Sequence, residues 1–152
     1  PVRNDWQGIH TLTHVVRNRE QMQIARSLGF KSLEDTLEII DDTTRKRLMP
    51  KAAKSRAVIG KAESSFDEII QSVRHGVEVF GADSYSMTLL LGLDDIDTTL
   101  DAANRLYREG LRSLYYPVYQ PYAYSEFGDN RMSFDELMVA RRELDNLFTR
   151  VW

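Results

Sequence analysis

The chain has 152 residues, of which 42% are hydrophobic and 28% charged, the profile of one soluble globular domain with a core of its own. Its net charge of −3 argues against a basic nucleic-acid platform. It has no cysteine, which excludes disulfides, a thiol nucleophile, zinc fingers and any iron–sulfur cluster held by its own thiolates.

Pro1 to Gly8 are polar, with no charged start leading into an apolar signal core. The longest apolar run, Met87 to Leu91 with Thr88 inside it, falls far short of the roughly 20 residues that span a bilayer. The expected location is therefore the cytoplasm, with no membrane partner. Pro1 fits either a removed initiator Met or the cut edge of a longer protein.

Asn18 begins the first predicted helix, with Gln21 placed as in a capping box. Met22, Ala25 and Leu28 keep helical spacing, and Gly29 stands where a terminating glycine belongs. Phe30 to Ile40 supports two readings. Leu33, Leu37 and Ile40 fit a helix capped by Ser32. Leu33, Leu37 and Ile39 opposite Glu34, Thr36 and Glu38 fit a strand. Asp41 or Asp42 then caps a short helix that ends before Pro50, and Lys51 to Ser64 reads as a positively charged loop.

Ser65 and Glu68 form a capping box, and Phe66, Ile69, Ile70, Val73, Val77 and Phe80 follow the helical period up to Gly81. Tyr85 to Leu91 is a strand apolar on both faces, as in a parallel sheet covered by helices. Asp97 caps the next helix, which runs through Leu100, Ala103, Leu106 and Tyr107 to Gly110. Leu111 to Val118 is a third strand, ending near Pro117. A tyrosine-rich loop from Tyr119 to Met132 leads to a last helix, capped by Ser133 and Glu136 and lined by Phe134, Leu137, Ala140, Leu144, Leu147, Phe148 and Val151.

With Phe30–Ile40 as a strand, helices and strands alternate. That predicts right-handed βαβ units and a parallel sheet. The fold class is α/β: a partial (β/α) barrel of about three parallel strands alternating with helices. Residues 1–152 form a single α/β domain, or a fragment of a longer barrel, since a complete one takes about 250 residues. In such folds ligands sit at the carboxyl ends of strands. The candidates are Glu38, Asp41 and Asp42; then Gly92, Asp94 and Asp95; then Tyr116, Tyr119, Gln120 and Tyr122. Asp94 and Asp95 suit better the turn that leads into the Asp97 cap. His10 and His14 would share a helical face as two metal ligands, but the Glu of a His-Glu-x-x-His motif is missing, so no metal site is assigned. No phosphate-cradling glycine motif or serine nucleophile elbow is present.

Several segments together resemble a known family. Ser32-Leu-Glu-Asp-Thr-Leu-Glu-Ile-Ile-Asp-Asp-Thr-Thr-Arg-Lys-Arg-Leu-Met-Pro50 is similar to the fourth strand and following helix of radical S-adenosylmethionine enzymes of the biotin-synthase-related branch. Met87-Thr-Leu-Leu-Leu-Gly-Leu-Asp-Asp-Ile-Asp-Thr-Thr-Leu100 resembles the fifth strand and its capped helix. Gly110-Leu-Arg-Ser-Leu-Tyr-Tyr-Pro-Val-Tyr-Gln-Pro121 resembles the sixth. The resemblance implies that Phe30–Ile40 is a strand and that the chain is the C-terminal half of such a barrel. It implies S-adenosylmethionine as cofactor, contacted by Glu38, Arg56, Leu91 and Gly92, and a small-molecule substrate near Tyr116, Tyr119 and Gln120. The family's [4Fe–4S] cluster would have to come from a missing N-terminal half or a partner subunit, and only with it would the chain be an enzyme. The alternative expectation is a non-catalytic binding or assembly subunit of α/β or helical type.

Overall fold

A computed structural model describes residues 9–13, 18–48, 64–121 and 131–150. Its elements run β1 (Ile9–Thr13), α1 (Arg19–Ser27), β2 (Phe30–Glu38), α2 (Asp42–Leu48), α3 (Phe66–Phe80), β3 (Tyr85–Leu89), α4 (Ile96–Arg108), β4 (Ser113–Tyr115), α5 (Phe134–Leu147) and β5 (Thr149–Arg150). The strands form one sheet in the order β1-β2-β3-β4-β5. Every neighbouring pair is parallel.

The α/β class and the partial (β/α) barrel are therefore what the chain adopts. The strand count is higher than the expected three. β1 is a strand where His10 and His14 had suggested a helix face, and β5 adds a two-residue fifth. Of the ambiguous Phe30–Ile40 segment, Phe30–Glu38 is a strand, with Leu33 and Leu37 in the core, 0% and 1% exposed, while Ile39 and Ile40 lie beyond its end.

Sequential order with same-handed crossovers puts all helices on one side of the sheet, the arrangement that curls into a barrel. One core cluster accordingly joins α1 (Met22), α3 (Ile69, Val73), α4 (Ala103, Leu106) and α5 (Leu144) to Leu33, Met87, Leu89 and Leu114 of the strands. The capping boxes of Ser65 with Glu68 and of Ser133 with Glu136 both form. Gly76 of α3 lets the Tyr85 ring lie against the helix backbone, since a Cβ there would meet ring atoms at 2.3 Å.

The other sheet face has a different chemistry. β3 alternates buried Tyr85, Met87 and Leu89 with half-exposed Ser86 and Thr88, so it is not apolar on both faces. The helix-free side carries His10, Ser32, Glu34, Ser86, Thr88 and Ser113, by the two-residue alternation of the strands. His10 Nδ1 lies 2.5 Å from Ser32 Oγ, and the Thr88 hydroxyl donates to Glu34 Oε1.

Candidate functional site

β2 ends in an unusual turn. Glu38 has φ of +65°, the only positive φ at a non-glycine among the described residues. Ile39 N donates to Leu37 O at 2.9 Å, the i to i+2 bond of a γ-turn around Glu38. A non-glycine residue in this region costs on the order of 1–3 kcal/mol and is held there only by its surroundings.

Those surroundings are two buried charges. Asp94, 2% exposed, lies in the turn after β3. Its Oδ2 accepts from Ile40 N at 2.7 Å and its Oδ1 from Asp41 N at 3.0 Å. Arg45 of α2 is 0% exposed. Its Nη1 donates to Ile39 O at 2.8 Å and to Ile40 O at 2.9 Å. Its Nη2 donates to Asp42 Oδ1 and to Ser64 O, and its Nε has no partner among the described residues. Asp42 Oδ1 also accepts Phe66 N at 2.9 Å, so the first turn of α3 is tied to the same cluster. A peptide run so fully bonded is rigid, and it fixes where the Glu38 carboxylate starts.

The acids at these strand ends differ in their electrostatics. Burial pushes the Asp94 carboxyl above its ordinary value, and the N–H groups of Ile40 and Asp41 pull it partly back. Asp41 caps α2, and its bonds from the Thr44 side chain and backbone hold its carboxyl low. Asp95, rather than Asp97, caps α4, and Thr98 N holds its carboxyl low in the same way. Arg131 is the cation whose field all three acids share. Its backbone N donates to Gly92 O at 2.8 Å, which brings the approach to α5 over the β3 end.

The remaining candidates divide. Gly92 has φ of +94° and is buried in the β3 turn beside Asp94. Leu91 is 0% exposed in the core and bridges to Val118. Tyr116 turns to the helix layer, where its hydroxyl donates to Asp145 of α5. Tyr119 N donates to Leu91 O at 2.8 Å, and Gln120 is exposed at the same end of the sheet. Arg56, His14 and Tyr122 lie outside the described residues. Among the described residues no group of three or more His, Cys, Asp or Glu could hold a metal. No helix among them is long and apolar enough to cross a membrane. Sequence reading missed Arg45, which adjoins two further cations, Lys46 and Arg47, and so carries no local signal of burial, and the Glu34–Thr88 pair, whose only signal was strand alternation.

No family model matches the chain, and no curated protein does. Solved structures of morphinone reductase do. One matches at a TM-score of 0.52 with 20% identity, over 86% of this chain and 35% of that one. A point variant of morphinone reductase in complex with tetrahydroNAD matches at 0.52 with 17% identity, over 87% of this chain and 35% of that one. The same reductase with tetrahydroNAD matches at 0.50 with 19% identity. The chain thus spans about a third of the length of these proteins, and identity this low speaks to fold alone.

These matches correct the radical S-adenosylmethionine expectation. The neighbours are structures of a reductase, two of them solved with a nicotinamide analogue, so the family, its radical function, S-adenosylmethionine and the [4Fe–4S] cluster are set aside. With them go the cofactor contacts assigned to Glu38, Arg56, Leu91 and Gly92 as S-adenosylmethionine ligands. The physical reason is that strand, acidic turn and capped helix in series are demands of β/α architecture in general. Their order does not select one chemistry.

Proposed function

We propose that the chain is a β/α-barrel segment of an oxidoreductase, lining one side of a small-molecule site that takes a nicotinamide-type reductant. The observation that carries this is the sequential parallel sheet shared with morphinone reductases, combined with a strained, rigidly held Glu38 at the strand end where barrels place ligands. The N–H groups of Ile40 and Asp41 are already taken by Asp94, so this end of the sheet does not suit a pyrophosphate. Carboxylates accept from hydroxyl and carboxamide groups, and that is the part of a nicotinamide nucleotide the Glu38 end fits. Tyr119 and Gln120 stand at the same end as the substrate-side candidates. The lack of cysteine and of strong positive charge supports a cytoplasmic setting with no nucleic-acid partner.

The test is titration of tetrahydroNAD into the isotope-labelled chain, followed by NMR. Saturable shifts confined to Glu38–Asp41 and Leu91–Asp95 are expected, weakened about fivefold in Glu38→Gln, which keeps an acceptor oxygen and loses the charge that strengthens the bond by about 1 kcal/mol. Absence of saturable binding overturns the reading.

A further inference from the structure

Two arginines on the helix layer spend the same edge in the same way. Arg19 Nε donates to Glu78 Oε2 at 3.1 Å, and its Nη2 donates to Glu78 Oε1. Arg74 holds the two oxygens of Glu109 through its own Nε and Nη2, the Nη2 bond at 2.7 Å. This is the side-on fork that fits a planar carboxylate. Arg26 of α1 is held differently. Its Nη1 donates to Phe30 O at 3.2 Å and to Lys31 O at 3.0 Å, and its guanidinium carbon lies 5.7 Å from the centre of the Phe80 ring. These contacts fix the arm without neutralising it. Among the described residues no carboxylate pairs with Arg26, so its Nε–Nη2 edge is unspent.

Arg26 lines a groove. Arg19, Gln23, Arg26 and Ser27 stand at i, i+4, i+7 and i+8 and form one stripe of α1, and Glu78 and Val79 of α3 make the opposite wall. The space between them is about 380 Å³, within the range of small-ligand sites. Its walls are largely carbon, from Val79 and the arginine stems. Two arginines against one glutamate leave the lining one net positive charge. That charge suits a monoanion, whereas a doubly charged phosphate would keep one charge uncompensated beside Glu78.

We propose that the groove between α1 and α3 binds a small monocarboxylate with an apolar body. Its carboxylate forks onto Arg26 Nε and Nη2, as Glu78 does on Arg19, and its body lies against Val79. The Arg26 arm is already oriented by two carbonyls and a ring, so little side-chain freedom is lost on binding. This site is separate from the strand-end acids. Arg26 holds the carbonyl of Phe30, the first residue of β2, whereas Glu38 is the last, so the two sites lie at opposite ends of that strand.

Benzoate is the probe, titrated into the isotope-labelled 152-residue chain at neutral pH and followed by NMR, with benzamide as its uncharged isostere. Saturable shifts at Gln23, Arg26, Ser27 and Val79 are expected with benzoate, and binding about tenfold weaker with benzamide. Gln23→Glu puts a carboxylate three residues before Arg26 and brings the net charge of the lining to zero, so the chain itself supplies what the ligand would bring. It should weaken benzoate about tenfold while the melting temperature holds or rises. Arg26→Gln should weaken benzoate at least as much, with circular dichroism to check its fold, since it also loses the bonds to Phe30 and Lys31. The absence of saturable shifts in the groove overturns the proposal. Equal binding of benzamide overturns it too, since the groove would then be an apolar crevice only, and so does benzoate binding unchanged in Gln23→Glu. None of these readouts involves Glu38–Asp41, so the proposed function stands or falls separately.

Discussion

Asp94 and Arg45 grip the same short peptide run from its two sides. The carboxylate takes the N–H groups of Ile40 and Asp41, and the guanidinium takes the carbonyls of Ile39 and Ile40. The charges come from different β/α units, one after β3 and one on α2. The exit of β2 is thus set by one long-range partner, Asp94, and one near in sequence, Arg45, which together keep Glu38 at positive φ.

Removing the acceptor tests this first. Asp94→Ala leaves a buried Ile40 N–H without a partner and should cost about 2 kcal/mol in urea unfolding. The pH dependence has a definite sign. Burial raises the folded value above the unfolded one, so ionisation of Asp94 works against folding. That titrating contribution is fully present below the ordinary value of 3.8 and is lost as pH rises through the folded value. Measured against Asp94→Asn, which does not titrate, wild type should gain relative stability as pH is lowered through that range.

Removing the donor is the harsher change. Arg45→Met deletes bonds to Ile39 O, Ile40 O and Ser64 O and leaves Asp42 without its cation. Breaking a buried pair costs about 3–5 kcal/mol. Asp42 is 38% exposed and can rehydrate, so the lower end, about 3 kcal/mol, is expected in chemical denaturation. Arg45→Lys keeps the charge and loses the fork, and should fall between the two.

Gly76→Ala separates packing from helix propensity. In an exposed helix the change would stabilise by about 0.5–1 kcal/mol. Here the new methyl would sit 2.3 Å from Tyr85 ring atoms, with the ring 0% exposed and without room to retreat. Overpacking costs about 1–3 kcal/mol, so thermal unfolding should show net destabilisation. A gain in melting temperature would mean that the α3–β3 contact is looser than described.

Much of the helix layer was legible because its signals are local. Ser65 with Glu68 and Ser133 with Glu136 form the capping boxes their spacing predicts, and Asn18 caps α1 by accepting from Gln21 N, one half of the box expected there. β2 was ambiguous because Leu33 and Leu37 are four apart, a spacing both periods accept, and only burial against α3 decides it. β1 was lost for a similar reason: Ile9-His-Thr-Leu-Thr13 is short, and its histidine drew attention to a helical spacing. The α4 cap was placed at Asp97 when Asp95 forms it, two carboxylates too close for sequence to separate. The clasp was not legible at all. Asp94 suited a turn, Arg45 was given no role, and nothing local says that one carboxylate reaches a loop 54 residues away.

The strain at Glu38 offers the sharpest test of whether this turn serves a ligand. Were the turn only structural, glycine would be the better residue, since it adopts φ of +65° without penalty. Glu38→Gly should therefore raise the urea midpoint. Relief of the strain, on the order of 1–3 kcal/mol, exceeds the entropy of the added glycine, roughly 0.5–1 kcal/mol. A net gain near 1 kcal/mol is expected. The same variant should lose the tetrahydroNAD response, because the carboxylate is gone while the clasp of Asp94 and Arg45 stays intact. Higher stability with lost binding would mark Glu38 as a residue retained for its side chain at the expense of its backbone. Lower stability would instead show that the Glu38 side chain itself holds the turn, and the γ-turn would then be a product of packing.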